Sequence, residues 1–535
     1  MIVLALCPSG SRWGGSRWGS SQRLAIRAVV AAVAVLLVGC SGGQQARGPG
    51  GSPIRSSTAS ASASGSPATL AAYYHQQLDW HSCSDGFQCA SLLVPIDYSH
   101  PAQGRFSLPV VRLPATGSAH RVGSVVLNPG GPGGSGIEFA RQARNVLSAA
   151  VRARFDAVGF DPRGVGGSRP AIRCMTGAQL DRYFETDETP SRPAEMSTLF
   201  SASKFFARAC KRRAGPLLPY VGTVNAARDM DILRSALSDA KLTYLGKSYG
   251  TYLGAYYAQL FPHRVRALVL DGAVDPAQTA IAQNIVQAEG FEVALGAFAV
   301  NCLRRTDCPL GSHSSATAGV AKIQDLLNRT DRTPLANDLG DGQPANQALV
   351  TEGIAAALYS KTYWPLLRRA LQDAFAGDGT LLVQFANALM ERRTDGTYTN
   401  LAEANMAINC VDRPWPHSLS IWRSAAATAT RAAPQFGASI MWGSLPCAFW
   451  PVRGAPVPRM RARGAAPILV VGTTRDPATP YRWAQALARD LSAGVLLGWN
   501  GDGHTAYKSG SSCVDSKVDR YLIDSTAPKS GTICP

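Results

Sequence analysis

The stretch that most constrains this chain runs from Leu242-Thr243-Tyr244-Leu245 through Gly246-Lys247-Ser248-Tyr249-Gly250 into Thr251-Tyr252-Leu253-Gly254-Ala255-Tyr256-Tyr257-Ala258. Apolar strand formers, a glycine-bracketed pentapeptide and a continuous apolar run read together as strand, sharp turn and buried helix. That is the context in which G-x-S-x-G makes a nucleophile elbow. The glycines are needed because strand and helix approach so closely that a Cβ would clash. Ser248 is then held at the strand end, within reach of a carbonyl and a histidine. The pentapeptide alone says little, since Gly39-Cys40-Ser41-Gly42-Gly43 fits it with no strand or helix around it. A phosphate-binding loop ending in Gly246-Lys247-Ser248 would need a glycine five residues before Gly246. Lys241 stands there instead.

The surrounding pattern predicts an α/β protein. Residues 87–98 and 106–113 read as antiparallel edge strands, and residues 123–128, 155–160, 242–247 and 265–270 as buried strands. Residues 223–237 form an amphipathic helix pattern between two of them. Strands alternating with helices imply β-α-β units and a mostly parallel, doubly wound sheet. The alternation breaks over residues 277–450, which read as helices and polar loops, among them 354–359 and 366–375. It resumes with strands at 467–472 and 494–499 and helices at 481–491 and 513–523. A helical block between core strands is the usual position of a cap.

A serine is a poor nucleophile until a base takes its proton. In this fold class the partners follow in the order Ser, acid, His. After the helical block, Asp476 follows one strand in Asp476-Pro477-Ala478-Thr479-Pro480, and His504 follows the next in Asn500-Gly501-Asp502-Gly503-His504-Thr505. Asp476 would orient and charge-stabilise the imidazole, and His504 would deprotonate Ser248 and protonate the leaving group. Asp502 is the rival acid, but it lies two residues from His504 rather than on a preceding strand. Two backbone N–H groups would complete an oxyanion hole: that of Tyr249, and that of Gly130 or Gly131 in Pro129-Gly130-Gly131-Pro132-Gly133-Gly134. Pro132 has no N–H to offer. The chemistry needs no cofactor and no metal, and neither C-x-x-C nor H-E-x-x-H occurs.

The N-terminal stretch and the cysteines lead us to expect a protein outside the cytoplasm. Arg23 and Arg27 precede an apolar run over residues 28–38 that ends in Leu37-Val38-Gly39-Cys40. The run is too short to span a bilayer and reads as an export signal with a lipobox. Residues 1–39 are expected to be removed, and Cys40 to carry a lipid that anchors the protein to the cell envelope. Residues 1–20 sit oddly ahead of the basic segment, as a mis-assigned start codon would place them. Residues 40–68, rich in Ser, Gly, Ala and Pro, form a flexible tether. Of the 12 cysteines, Cys7 and Cys40 fall in the leader and at the lipid site. The others fall into neighbouring pairs, Cys83/Cys89, Cys174/Cys210, Cys302/Cys308, Cys410/Cys447 and Cys513/Cys534, which an oxidising compartment would join in sequence. The net charge of +17 comes from scattered Arg without a basic, aromatic-interleaved stripe. Nucleic acid is therefore not an expected partner.

Several further motifs join these. They are Trp80, Cys83 and Cys89 before Leu93-Val94-Pro95-Ile96-Asp97-Tyr98, then Asp161-Pro162-Arg163-Gly164, Asp271-Gly272-Ala273-Val274-Asp275-Pro276 and Ala407-Ile408-Asn409-Cys410-Val411-Asp412. With the elbow, the glycine loop and the Asp476 motif, the set resembles the actinobacterial secreted tripeptidyl-aminopeptidase family, which includes mycobacterial cell-envelope carboxylesterase/protease lipoproteins. The resemblance spans residue 75 to the C-terminus. It implies an α/β-hydrolase core over residues 69–276 and 451–535 with a helical cap over 277–450. It also implies a peptidase or esterase whose triad is Ser248, Asp476 and His504. An exo-acting peptidase needs an acid near the cap for the substrate ammonium. Asp412 is the candidate, its competing use being to cap a strand or loop. Lys247 departs from related elbows, which often carry an aromatic or small residue; its side chain is expected to face solvent.

Overall fold

The computed structural model describes residues 69–311 and 314–535. The leader, Cys40 and the 40–68 tether lie outside the described residues. Ten strands form one sheet: β1 (His81–Ser82), β2 (Gln88–Pro95), β3 (Arg105–Leu113), β4 (Gly123–Asn128), β5 (Phe155–Phe160), β6 (Leu242–Lys247), β7 (Val265–Asp271), β8 (Ile468–Arg475), β9 (Gly494–Asp502) and β10 (Thr532–Cys534). Their spatial order is β1-β2-β3-β5-β4-β6-β7-β8-β9-β10. Pairing is antiparallel from β1 to β5 and parallel from β5 to β10.

The central strands are buried on both faces, as parallel strands covered by helices must be. Their side chains alternate between two cores. Val126, Tyr244, Leu268, Leu270 and Val470 pack on one side of the sheet. Val125, Leu127, Leu245, Val269 and Val471 pack on the other. This period of two explains why the strands read as uninterrupted apolar runs. The chain winds from β4 outward to β5, then returns past β4 to add β6 on the other side. Such a reversal opens a crevice outside the carboxyl ends of the strands. The glycine loop after β4 and the elbow after β6 are therefore neighbours. Two strands went unread, β1 and β10, because His81–Ser82 and Thr532–Cys534 are too short to show a period. β10 is held by parallel pairing to β9 and by the Cys513–Cys534 disulfide.

Among the described residues, eight α-helices lie between β7 and β8, from Ala280–Leu303 to Gly437–Gly443. They do not build the cap alone. Helix Pro193–Ala214, inserted between β5 and β6, places Leu199 in one apolar cluster with Trp422, Met441 and Trp442. The cap thus draws on two insertions, and the first lies within the stretch expected to be core. All five expected disulfides are present: Cys83–Cys89, Cys174–Cys210, Cys302–Cys308, Cys410–Cys447 and Cys513–Cys534. Among the described residues no helix is long and apolar enough to cross a membrane.

Candidate active site

The elbow forms where the sequence places it. Ser248 joins β6 to helix Tyr249–Leu260 with φ 54° and ψ −125°. A non-glycine residue with positive φ is strained unless its surroundings fix it. Here they do: Ser248 N–H donates to Asp271 O at 2.9 Å, and Thr251 donates to Ser248 O from N–H at 2.8 Å and from Oγ1 at 2.6 Å. A Cβ on Gly246 would lie 2.4 Å from Gly250 O, and one on Gly250 2.8 Å from Asn128 Oδ1. Both bracketing positions therefore admit only glycine without rearrangement.

Asp476 and His504 are brought together at the ends of β8 and β9. His504 Nδ1 lies 2.8 Å and 3.0 Å from the two Asp476 carboxylate oxygens. The carboxylate also accepts from Ala478 N–H, Thr479 N–H, Thr479 Oγ1 and Thr505 N–H. Five donors around one buried anion fix its orientation and stabilise its charge. With Nδ1 bound in this way, Nε2 is the ring nitrogen left to act, and it is buried without a partner. His504 Cε1 lies against Gly272, the residue after Asp271, whose carbonyl holds Ser248 N–H. The imidazole edge thus sits beside the elbow. Asp502 is occupied elsewhere, in ion pairs with Lys361 and Arg475.

The glycine loop reaches the same point. Gly130 and Gly131 have φ of 100° and 110°. A Cβ on Gly130 would stand 2.8 Å from Ser248 Cβ and 3.1 Å from Tyr249 N. Gly130 N–H already donates to Asn128 Oδ1 at 3.0 Å. Of the two glycine N–H groups, that of Gly131 is therefore the one this bond leaves uncommitted.

Ser248, Tyr249 and Gly131 line a cavity of about 260 Å³ under the cap. Asp412 lines it too, but both its oxygens accept from Thr223, from N–H at 2.7 Å and Oγ1 at 2.5 Å. Burial pushes its carboxyl up to about 6. It caps helix Thr223–Ala236, and through Thr223 Oγ1 it contacts the Tyr249 hydroxyl. Two acids that sequence reasoning passed over also face the cavity, Glu188 and Glu352. Burial pushes Glu188 well above the usual carboxylate range, and Glu352 and Asp187 add like charge. Burial raises Glu352 as well. Beside them, Tyr359 Oη and Gln283 Oε1 are buried without partners. Arg413, the basic residue of this lining, is committed to Pro276 O and Gln278 O. A signal for Glu352 was present: it is the one charge in helix Gln347–Leu358, QALVTEGIAAAL.

Lys247 does not face solvent. It is 8 % exposed, and Nζ donates to Tyr507 O at 2.9 Å and Thr505 Oγ1 at 3.2 Å. Burying an ammonium is costly unless it is paired, and Asp271 Oδ2 lies 3.8 Å away. No local sequence pattern marks that partner, because Asp271 closes a different strand.

A serine on a strained strand-to-helix turn, a carboxylate-oriented imidazole and convergent N–H groups make this an α/β-hydrolase equipped for acyl transfer, a serine hydrolase. Comparison with known proteins agrees. Residues 433–534 match the family model described as TAP-like protein. The chain is 38 % identical to serine protease Hip1 of Mycobacterium tuberculosis, covering 96 % of this chain and 98 % of that protein. It is 37 % identical to carboxylesterase B of the same species, over 86 % of this chain and 90 % of the relative. Tripeptidyl aminopeptidase of Streptomyces lividans is 32 % identical, over 83 % and 84 %. The chain belongs to this family of tripeptidyl-aminopeptidase-like serine hydrolases.

Proposed function

We propose that the protein is an exported peptidase that removes short peptides from free amino termini through an acyl-enzyme. Ser248 attacks the scissile carbonyl while His504 Nε2 takes its proton. Asp476 holds the imidazole and stabilises its charged form. The Tyr249 and Gly131 N–H groups receive the oxyanion, and His504 then protonates the leaving amine. Water repeats the sequence to release the acid. Cys40 carries the lipid that keeps the enzyme at the envelope.

One observation carries the choice of substrate. Glu188, Glu352 and Asp412 line a cavity in which Arg413 is already engaged, within a chain of net charge +17. An acidic cavity in a basic protein suits a cationic substrate group, and a free amino terminus is the one every peptide offers. Binding of an ammonium would also offset the repulsion between the two glutamates. The test compares a tripeptide anilide having a free amino terminus with its N-acetylated form, in the wild type and in Ser248→Ala. Cleavage of the free form alone, lost in the variant, is the expected result. Equal cleavage of both would remove the exopeptidase reading. A second reading, esterase action on short acyl or envelope-lipid esters, is favoured by the likeness to a carboxylesterase. It would be preferred if neither peptide were cleaved while acyl esters turned over through Ser248.

A further inference from the structure

Lys247 and Asp271 stand on neighbouring strands directly below the reacting groups. Lys247 immediately precedes Ser248, and Asp271 O accepts the Ser248 N–H. The segment that both side chains hold is the one that follows His504. Asp271 Oδ1 accepts from Ala506 N–H at 2.8 Å, and Oδ2 from Tyr507 N–H at 3.0 Å. Lys247 Nζ takes the opposite polarity of the same segment, Tyr507 O and Thr505 Oγ1. Thr505 itself sits at φ 68°, a left-handed conformation that a β-branched residue adopts only under constraint. Asp476 Oδ2 receives its N–H. The turn behind the imidazole is thus bound to three successive strand ends, β6 by Lys247, β7 by Asp271 and β8 by Asp476.

We propose that Lys247 is a positioning residue for His504: with Asp271 it clamps the 505–507 turn, so that the nucleophile strand and the base are held in one register. This rests on the roles assigned above to Ser248 and His504. The ammonium also does electrostatic work. Asp271 is fully buried, and the Lys247 ammonium and the His504 imidazole both oppose the rise that burial imposes on its carboxyl. Without the ammonium, the groups facing the imidazole would be Asp476, Thr479 and Thr505 from the core, Tyr359 from the cap and an unneutralised Asp271. That balance favours the charged imidazolium and so disfavours the base form.

The experiment uses the mature protein with p-nitrophenyl acetate and a fluorophosphonate probe, in wild type, Lys247→Met, Lys247→Arg and the Lys247→Met/Asp271→Asn double variant. For Lys247→Met we expect kcat and the labelling rate to fall about ten- to a hundred-fold with KM within about two-fold, and the acid limb of the kcat/KM profile to move to higher pH. In Lys247→Arg and in the neutral double variant the acid limb returns to its wild-type position. If Lys247→Met does not fold, Lys247→Gln, which keeps a donor for Tyr507 O but no charge, carries the same expected shift, and an unmoved acid limb there overturns the proposal. A Lys247→Met enzyme with an unmoved profile and wild-type kcat, whatever its Tm, would overturn the proposal. So would a fall in kcat with the acid limb in place in every variant, which marks a merely structural pair. Failure of the wild type to label at Ser248 would instead sink the underlying serine-hydrolase roles.

Discussion

At the scale of single residues, the site divides into atoms that react and atoms that hold them. Ser248 reacts, and Ser248→Ala should lower turnover by about a million-fold while leaving Tm near that of the wild type. Asp476 holds: its carboxylate carries five donors, so Asp476→Asn disturbs several hydrogen bonds besides that to His504 Nδ1. An asparagine would present its amide N–H₂ where an acceptor is required, and kcat should fall about ten-thousand-fold. Glu352 neither reacts nor holds a catalytic group. Glu352→Gln should raise KM about ten-fold or more for free-amino peptides, the worth of a charge-assisted hydrogen bond, and leave N-acetylated peptides unaffected. An equal change for both substrates would remove Glu352 from ammonium recognition.

At the scale of elements, the glycine loop and the elbow behave as one unit. Asn128 closes β4 and its Oδ1 binds Gly130 N–H, while the same oxygen lies where a Cβ on Gly250 would go. Gly250→Ala should therefore act at a distance from its own helix, pushing Asn128 and with it the Gly130-Gly131 peptide. We expect a stability loss of about 1–3 kcal/mol by thermal or denaturant unfolding, with a drop in kcat greater than the unfolding measurement explains. Recovery of kcat at low temperature, where the variant is fully folded, would argue against that coupling. The same reasoning accounts for the cap. Helix Leu401–Asp412 is tied to the Leu445–Phe449 turn by Cys410–Cys447, and its last residue caps helix Thr223–Ala236 in the core.

At the scale of the whole molecule, that cap-to-core contact gives stability a pH dependence. Asp412 is pushed up to about 6 by burial, above its unfolded value. A carboxyl raised in this way favours the folded state while protonated, so its contribution is fully present at low pH. It is lost as the pH rises from about 4 through about 6. Relative to Asp412→Asn, which does not titrate, the wild type should lose up to about 3 kcal/mol across that window. Unfolding both proteins at intervals across that range checks the sign: a difference that grows in favour of the wild type with pH would refute it.

Much of this was legible in the chain. The central strands could be read because parallel strands buried on both faces must be apolar at every position, and the triad because each member closes a strand in a fixed order. The neighbouring cysteine pairs were an expectation from an even count in an exported chain, and with separations of up to 37 residues their connectivity was decided only in the structure. Three further things depended on the tertiary structure. The contribution of helix Pro193–Ala214 to the cap rests on packing between segments more than two hundred residues apart. Which acids face the cavity depends on how that cap closes, so Glu188 could not be distinguished from a solvated carboxylate, Glu352 could be marked only as the one charge of an apolar helix, and the choice between substrate binding and capping stayed open for Asp412. Lys247 is buried because Asp271, on the next strand, and the carbonyl of Tyr507, after another crossover, converge on its ammonium. Local pattern specifies which residues form an element and which face is apolar; the partner of a buried charge is chosen only when distant strand ends meet.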